Sequence, residues 1–101
     1  MRSTDVSRLE RFYAGVLGLR VVKRDPARGS VWLDAGGTVL MLERAQDGEP
    51  PVPGGTMELV AFAVEDKERW RERVTVEAET PHTLYFRDPD GRRVAVSDYE
   101  P

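Results

Sequence analysis

Leu9, Phe12, Tyr13, Val16 and Leu17 recur at the spacing of one helix face. That i, i+3, i+4, i+7 stripe predicts an amphipathic helix. Asp5 stands where a carboxylate accepts from first-turn amides, and Gly18 where a left-handed residue ends a helix. Beyond Gly18 the period shortens to two. Residues 19–23, 30–34 and 38–43 read as short strands, with Asp25-Pro26 breaking the first and Gly36-Gly37 turning the last two into a hairpin.

Residues 45–55 hold three prolines and three glycines, too many breakers for a regular element. After this linker the order starts again. Residues 58–64 read as a strand and 66–74 as a short helix capped by Asp66. Strands follow at 74–78, 83–87 and 92–98, with Asp88-Pro89-Asp90-Gly91 as a type I turn before the last. Placing Gly37 on Gly91 aligns Leu40 with Val94, Met41 with Ala95 and Leu42 with Val96. The chain thus reads as two similar α+β modules, residues 1–44 and 57–101, joined by a linker at 45–56. Each is too small to bury a core alone, so the 101 residues form one domain.

Composition narrows the chemistry. Cysteine is absent, which excludes disulfides, zinc ribbons, iron–sulfur clusters and thiol nucleophiles. His82 is the one histidine, so a His-rich metal site cannot come from one chain. The net charge of −3 argues against nucleic acid as a partner. No apolar run approaches the length of a membrane span, and the N-terminus lacks a signal pattern. The default expectation is a cytoplasmic protein with no membrane partner.

Three ordered segments carry a resemblance. Residues 12–19, Phe-Tyr-Ala-Gly-Val-Leu-Gly-Leu, resemble the signature that ends the first helix of vicinal-oxygen-chelate proteins. This superfamily includes glyoxalase I, bleomycin-resistance proteins, fosfomycin-resistance enzymes and extradiol dioxygenases. Leu59-Val60-Ala61-Phe62-Ala63-Val64 is similar to its His-x-Ala-Phe-x-Val strand, and residues 85–91 to its Tyr-Phe-x-Asp-Pro-Asp-Gly turn. The resemblance covers nearly the whole chain. It implies two βαβββ modules joined into a cupped mixed sheet with helices outside, usually paired as a homodimer.

The departures from that pattern concern metal. The resemblance implies a His or Glu on four strands. The first falls before Met1 by register with Asp5, so the first strand is expected to be short or missing. The other three positions hold Met41, Leu59 and Ala95. A thioether, an isobutyl and a methyl group do not bind a hard or borderline divalent cation. The expectation is no metal and no other cofactor.

Strand alternation assigns Val31, Leu33, Leu40, Leu42, Val60, Phe62, Val64, Leu84, Phe86, Val94 and Val96 to the side under the helices. The opposite face carries the candidate ligand-binding residues Trp32, Asp34, Met41, Glu43, Leu59, Ala61, Tyr85, Arg93 and Ala95, beside Val39, Ala63, Arg87 and Ser97. Apolar walls with few polar groups suit a small molecule. Trp32 and Tyr85 can stack a flat or cationic ligand against Asp34 or Glu43, or they can fill the space themselves. No catalytic residue is assigned. His82 reads as a turn histidine, Glu77 and Glu79 as an unsupported carboxylate pair, and residues 67–73 as a solvated helix face around Trp70. Pro53-Gly54-Gly55-Thr56 lacks the lysine of a phosphate loop.

The preferred expectation is a metal-free protein that binds a small molecule, with sequestration as the mechanism implied by the bleomycin-resistance branch. The alternative is a metal-dependent lyase or isomerase of the glyoxalase type, or a dioxygenase. It would use a shifted site such as Glu43 and His82, or one completed by a partner chain. An interaction module with an occluded cup is a third reading.

Overall fold

A computed structural model describes residues 1–52 and 58–99. The chain divides into two compact units, Met1–Pro51 and Val52–Pro101. The reading of Pro53-Gly54-Gly55-Thr56 lies outside the described residues.

In module one, Asp5 caps the helix α1 (Val6–Glu10), its Oδ1 accepting from the Arg8 amide at 3.0 Å. The helix then widens into a π-helical stretch, Arg11–Val16. There the Leu17 amide donates to the carbonyl of Phe12, and the Leu19 amide to that of Tyr13, each at 3.0 Å. Four residues of an α-helix exceed one full turn, so an i, i+4, i+8 stripe drifts around the axis. A wider turn removes that drift, and Leu9, Tyr13 and Leu17 are all buried. The sequence pattern implied a uniform α-helix; the structure corrects its second half. Gly18 ends it with φ +79°, as expected of a left-handed stop.

The strands of this module are β1 (Arg2–Ser3), β2 (Arg20–Asp25), β3 (Ser30–Asp34) and β4 (Val39–Arg44), in the spatial order β1-β4-β3-β2. β1 runs parallel to β4 and the other pairs are antiparallel. The first strand is short, as the resemblance implied. The sheet face under α1 buries Val31, Leu33 and Leu42. Gly36 and Gly37 both have positive φ, and the Ala35 amide donates to the Thr38 carbonyl at 2.7 Å, closing a two-residue hairpin.

Module two repeats the plan with β5 (Val60–Ala63), β6 (Ala78–Glu79), β7 (Thr83–Arg87) and β8 (Arg93–Ser97), ordered β5-β8-β7-β6. β5 is parallel to β8. The parallel pairs place Arg2 against Glu43 and Ala63 against Ser97, which are equivalent under the Gly37–Gly91 alignment. Arg2 therefore holds the place of Ala63, and the equivalent of Leu59 falls ahead of Met1. The buried side chains of this sheet include Leu84, Phe86, Val94 and Val96.

Here the sequence reading needs correction. The helix expected over 66–74 is a single 3-10 turn, Lys67–Trp70. Only Trp70 and Val74 fall on its apolar face, too few to stabilise more than one turn. Lys67, assigned to a solvated face, is buried, with Nζ donating to Glu68 Oε1 at 2.8 Å. Trp70 is only half-buried, and its indole Nε1 is buried without a hydrogen-bond partner. The strand expected at 74–78 is not formed; the strand there is β6, Ala78–Glu79, which shares only Ala78 with it. Asp66 does cap the turn, accepting from the Glu68 amide, and Asp98 from β8's end accepts from the Lys67 amide, each at 3.0 Å.

Candidate functional site

The helix-free face of module one carries Trp32, Asp34, Met41 and Glu43, as alternation placed them. Trp32 and Met41 are cross-strand partners. Lys23 stands opposite Trp32 on β2, with Nζ 5.1 Å from the ring centroid. This cation–π contact escaped the sequence reading because a bulge between Val21 and Lys23 shifts the register by one residue. The two acids already have structural partners. Asp34 Oδ1 accepts from the Gly36 amide at 3.0 Å and Oδ2 pairs with Arg20 at 3.3 Å. The turn amides, chiefly that of Gly36, hold its carboxyl below the usual range, with Arg20 adding to the effect. Glu43 lies 3.5 Å from the Arg2 guanidinium, which also pairs with Glu49 at 3.0 Å.

The helix-free face of module two is built differently. Ala61, Ala95 and Tyr85 form one cross-strand row over β5, β8 and β7. Leu59 precedes that row and is 45% exposed, whereas Ala95 is fully buried despite pointing away from the core of strand neighbours Val94 and Val96. Arg93 lies over Tyr85, its guanidinium carbon 4.6 Å from the ring centroid. Its Nε is buried and makes no hydrogen bond. Burial of a donor without a partner costs about 1–3 kcal/mol, and few native groups are left in that state. Its cross-strand partner Arg87, by contrast, donates to Glu77 Oε2 at 2.9 Å and to the Gly91 carbonyl at 3.2 Å. The sequence placed Arg93 on this face; the stack and the orphaned donor were not legible there.

The remaining ionisable candidates serve the fold. Glu77 is bound to Arg87 and Glu79 to Arg71, the latter at 2.7 Å. The Arg71 hydrogen bond holds the Glu79 carboxyl below its usual range. His82 forms the exposed turn between β6 and β7, with Nδ1 3.1 Å from Asp98 Oδ1 and its ring edge-on to Tyr99. Asp88 is buried in the turn before β8, accepting from the Asp90 and Arg92 amides at 2.9 Å and pairing with Arg92 at 3.1 Å.

Met41, Leu59 and Ala95 are the residues that the resemblance sets at the family's metal-ligand positions. None offers the oxygen or nitrogen donor that such an ion requires, so these residues do not fit a metal. Among the described residues, no group of three or more His, Asp or Glu side chains converges as a metal site.

Two modules of one strand order, each passing from a parallel outer strand through a helical segment (a helix in module one, a single 3-10 turn in module two), define a βαβββ-type pair. The chain belongs to the Glyoxalase/Bleomycin resistance protein/Dioxygenase superfamily, whose profile matches residues 1–96. Comparison with curated proteins gives no match. Among solved structures, it is similar to lactoylglutathione lyase from Agrobacterium tumefaciens, with 24% identity and TM-score 0.72 over 96% of this chain and 87% of that one. It is similar to the fosfomycin resistance protein FosX from Mesorhizobium loti, with 17% identity and TM-score 0.76 over 99% and 87%. TioX from Micromonospora sp. ML1 shares 25% identity, with TM-score 0.72 over 96% and 92%. Among the described residues, no helix is long and apolar enough to cross a membrane.

Proposed function

We propose that this protein binds a small molecule on the helix-free faces of its sheets without a metal centre, as a cytoplasmic homodimer. What supports this reading is the apolar set Met41, Leu59 and Ala95, which the resemblance sets at the family's ligand positions. Where a metal-dependent relative would polarise its substrate, this chain offers apolar surface beside Trp32, Ala61 and Tyr85. Such surface favours an apolar ligand body, and a few polar groups fix its orientation. Sequestration needs no more chemistry than that. The acids a shifted metal site would draw on are already engaged: Glu43 with Arg2, and Asp98 beside His82 with the Lys67 amide.

Calorimetric titration with zinc, nickel and manganese tests the reading. No stoichiometric heat is expected. A one-to-one site of sub-micromolar affinity would overturn it in favour of a metal-dependent lyase, isomerase or dioxygenase. Sedimentation at micromolar concentration tests the homodimer, which is expected at twice the mass of the chain.

A further inference from the structure

Arg93 is the one guanidinium on the helix-free face of module two that the fold places without using. Arg87, beside it in register, is neutralised by Glu77. Arg92, its neighbour in sequence, is held by Asp88 and Asp90. Arg93 makes no ion pair or hydrogen bond among the described residues; its contact is the ring of Tyr85. Of its nitrogens, only Nε is buried without a partner, so the two terminal nitrogens are left for an approaching group. A partly desolvated cation lacking a counter-charge gains more from an anion than a hydrated one does. Its planar fork suits an oxyanion that accepts two parallel hydrogen bonds. Packing over Tyr85 restrains the guanidinium in advance and so reduces the ordering cost of binding.

We infer that Arg93, packed over the Tyr85 ring, anchors the oxyanion of an anionic ligand whose apolar body lies along Ala61 and Leu59. The inference rests on the small-molecule reading above and gives it a ligand class: a carboxylate or phosphonate joined to an apolar group. The row Ala61–Ala95–Tyr85 leads from the apolar strand β5 to the ring that carries the guanidinium. Ala61 is exposed and its small side chain leaves the surface of β5 low there.

NMR titrations with benzoate, phenylphosphonate and neutral benzyl alcohol test it on the full chain. At least one anion is expected to bind about tenfold or more tighter than benzyl alcohol, in line with a charge-assisted hydrogen bond. Its binding should shift the Arg93 Nε–Hε signal, and the preferred anion identifies the oxyanion. In Arg93→Met the anions should bind no tighter than benzyl alcohol. Arg93→Lys, which keeps the charge without the planar fork, should weaken the preferred anion about threefold to tenfold; it supplies the test if Arg93→Met does not fold. Equal binding of all three probes to the wild type would overturn the inference and leave the apolar-face reading standing. Binding of none would overturn both. Anion affinity unchanged in Arg93→Met or Arg93→Lys would also overturn it.

Discussion

The two modules share a strand order and a register, yet they cover their sheets by different means. Module one lays α1 on β3 and β4, extends it through the π-helical stretch, and buries Leu9, Tyr13 and Leu17 along the segment. Module two has a single 3-10 turn whose half-buried Trp70 is joined by the stem of Lys67. Around that turn, charge takes over part of the work. Asp66 and Asp98 hold its amides, while Glu68 bridges Lys67 and Arg71. Those hydrogen bonds, from Arg71 first, push the Glu68 carboxyl down to about 2. The turns before the last strands differ in the same spirit. The Gly36-Gly37 hairpin of module one relies on backbone freedom and an exposed Asp34, whereas module two closes its turn around the buried Asp88. Sheet topology is thus the constant of the repeat, and the helical cover and turn chemistry are variable. In the same way, the open face of module two carries an unpaired arginine while that of module one carries none among the described residues.

The sharpest break in this comparison should come from the helices. Tyr13→Ala is expected to cost about 3–5 kcal/mol in urea unfolding, as a large buried side chain leaving a cavity. Trp70→Ala should cost only about 1–2 kcal/mol, since Trp70 is half-buried. Equal losses would mean that module two depends on its short turn as much as module one on its helix. The β-turn acids should differ in the opposite sense. Asp88→Ala strands the Asp90 and Arg92 amides and removes one of the two carboxylates that hold Arg92, an expected loss of about 2–4 kcal/mol. Asp34→Ala, at an exposed site, should lose less than about 1 kcal/mol. A similar effect at both positions would refute the contrast between backbone and side-chain turn control.

Gly29→Ala probes a feature of module one alone. The residue has φ +65°, and an added Cβ would meet the Arg44 Cβ at 3.1 Å. The left-handed penalty predicts a loss of about 1–2 kcal/mol by thermal unfolding, and neutrality would show that the turn relaxes freely. The smallest effect concerns acid. Asp98 titrates below its usual range, first because the Lys67 amide donates to it and also because of His82. A lowered native pKa means that this stabilisation is complete above the unfolded value of about 4. It is lost as pH falls through the native value. Asp98→Asn should therefore flatten the acid limb of the stability–pH curve below about pH 4; an unchanged limb would remove Asp98 from the account.

Much of this architecture was legible because the signals were local. Asp5 and Asp66, the glycines at 18, 36, 37 and 91, and the alternation along β3, β4, β7 and β8 each act over a few residues. The helix at 66–74 was misread because its charges obscured how few apolar positions it has, and a buried lysine has no pattern of its own. The π-helical turn and the β2 bulge insert residues without any distinctive residue type, so Lys23 over Trp32 stayed hidden. At the candidate site, alternation sorted the faces correctly for Trp32, Met41, Tyr85 and Arg93. Which of those groups were already neutralised depended on pairs distant in sequence, such as Arg2 with Glu43 and Arg87 with Glu77.

The strand order has a further consequence, for the time course of folding. In both sheets the first strand pairs with the last, so neither sheet is complete until its final strand has been made. Each closure is confined to about half the chain, which keeps the loop entropy of the search modest. During synthesis, β4 emerges and becomes available to β1 before β5 does. The first module can therefore pair all its strands earlier, while β5 must wait for its partner β8, the last strand made.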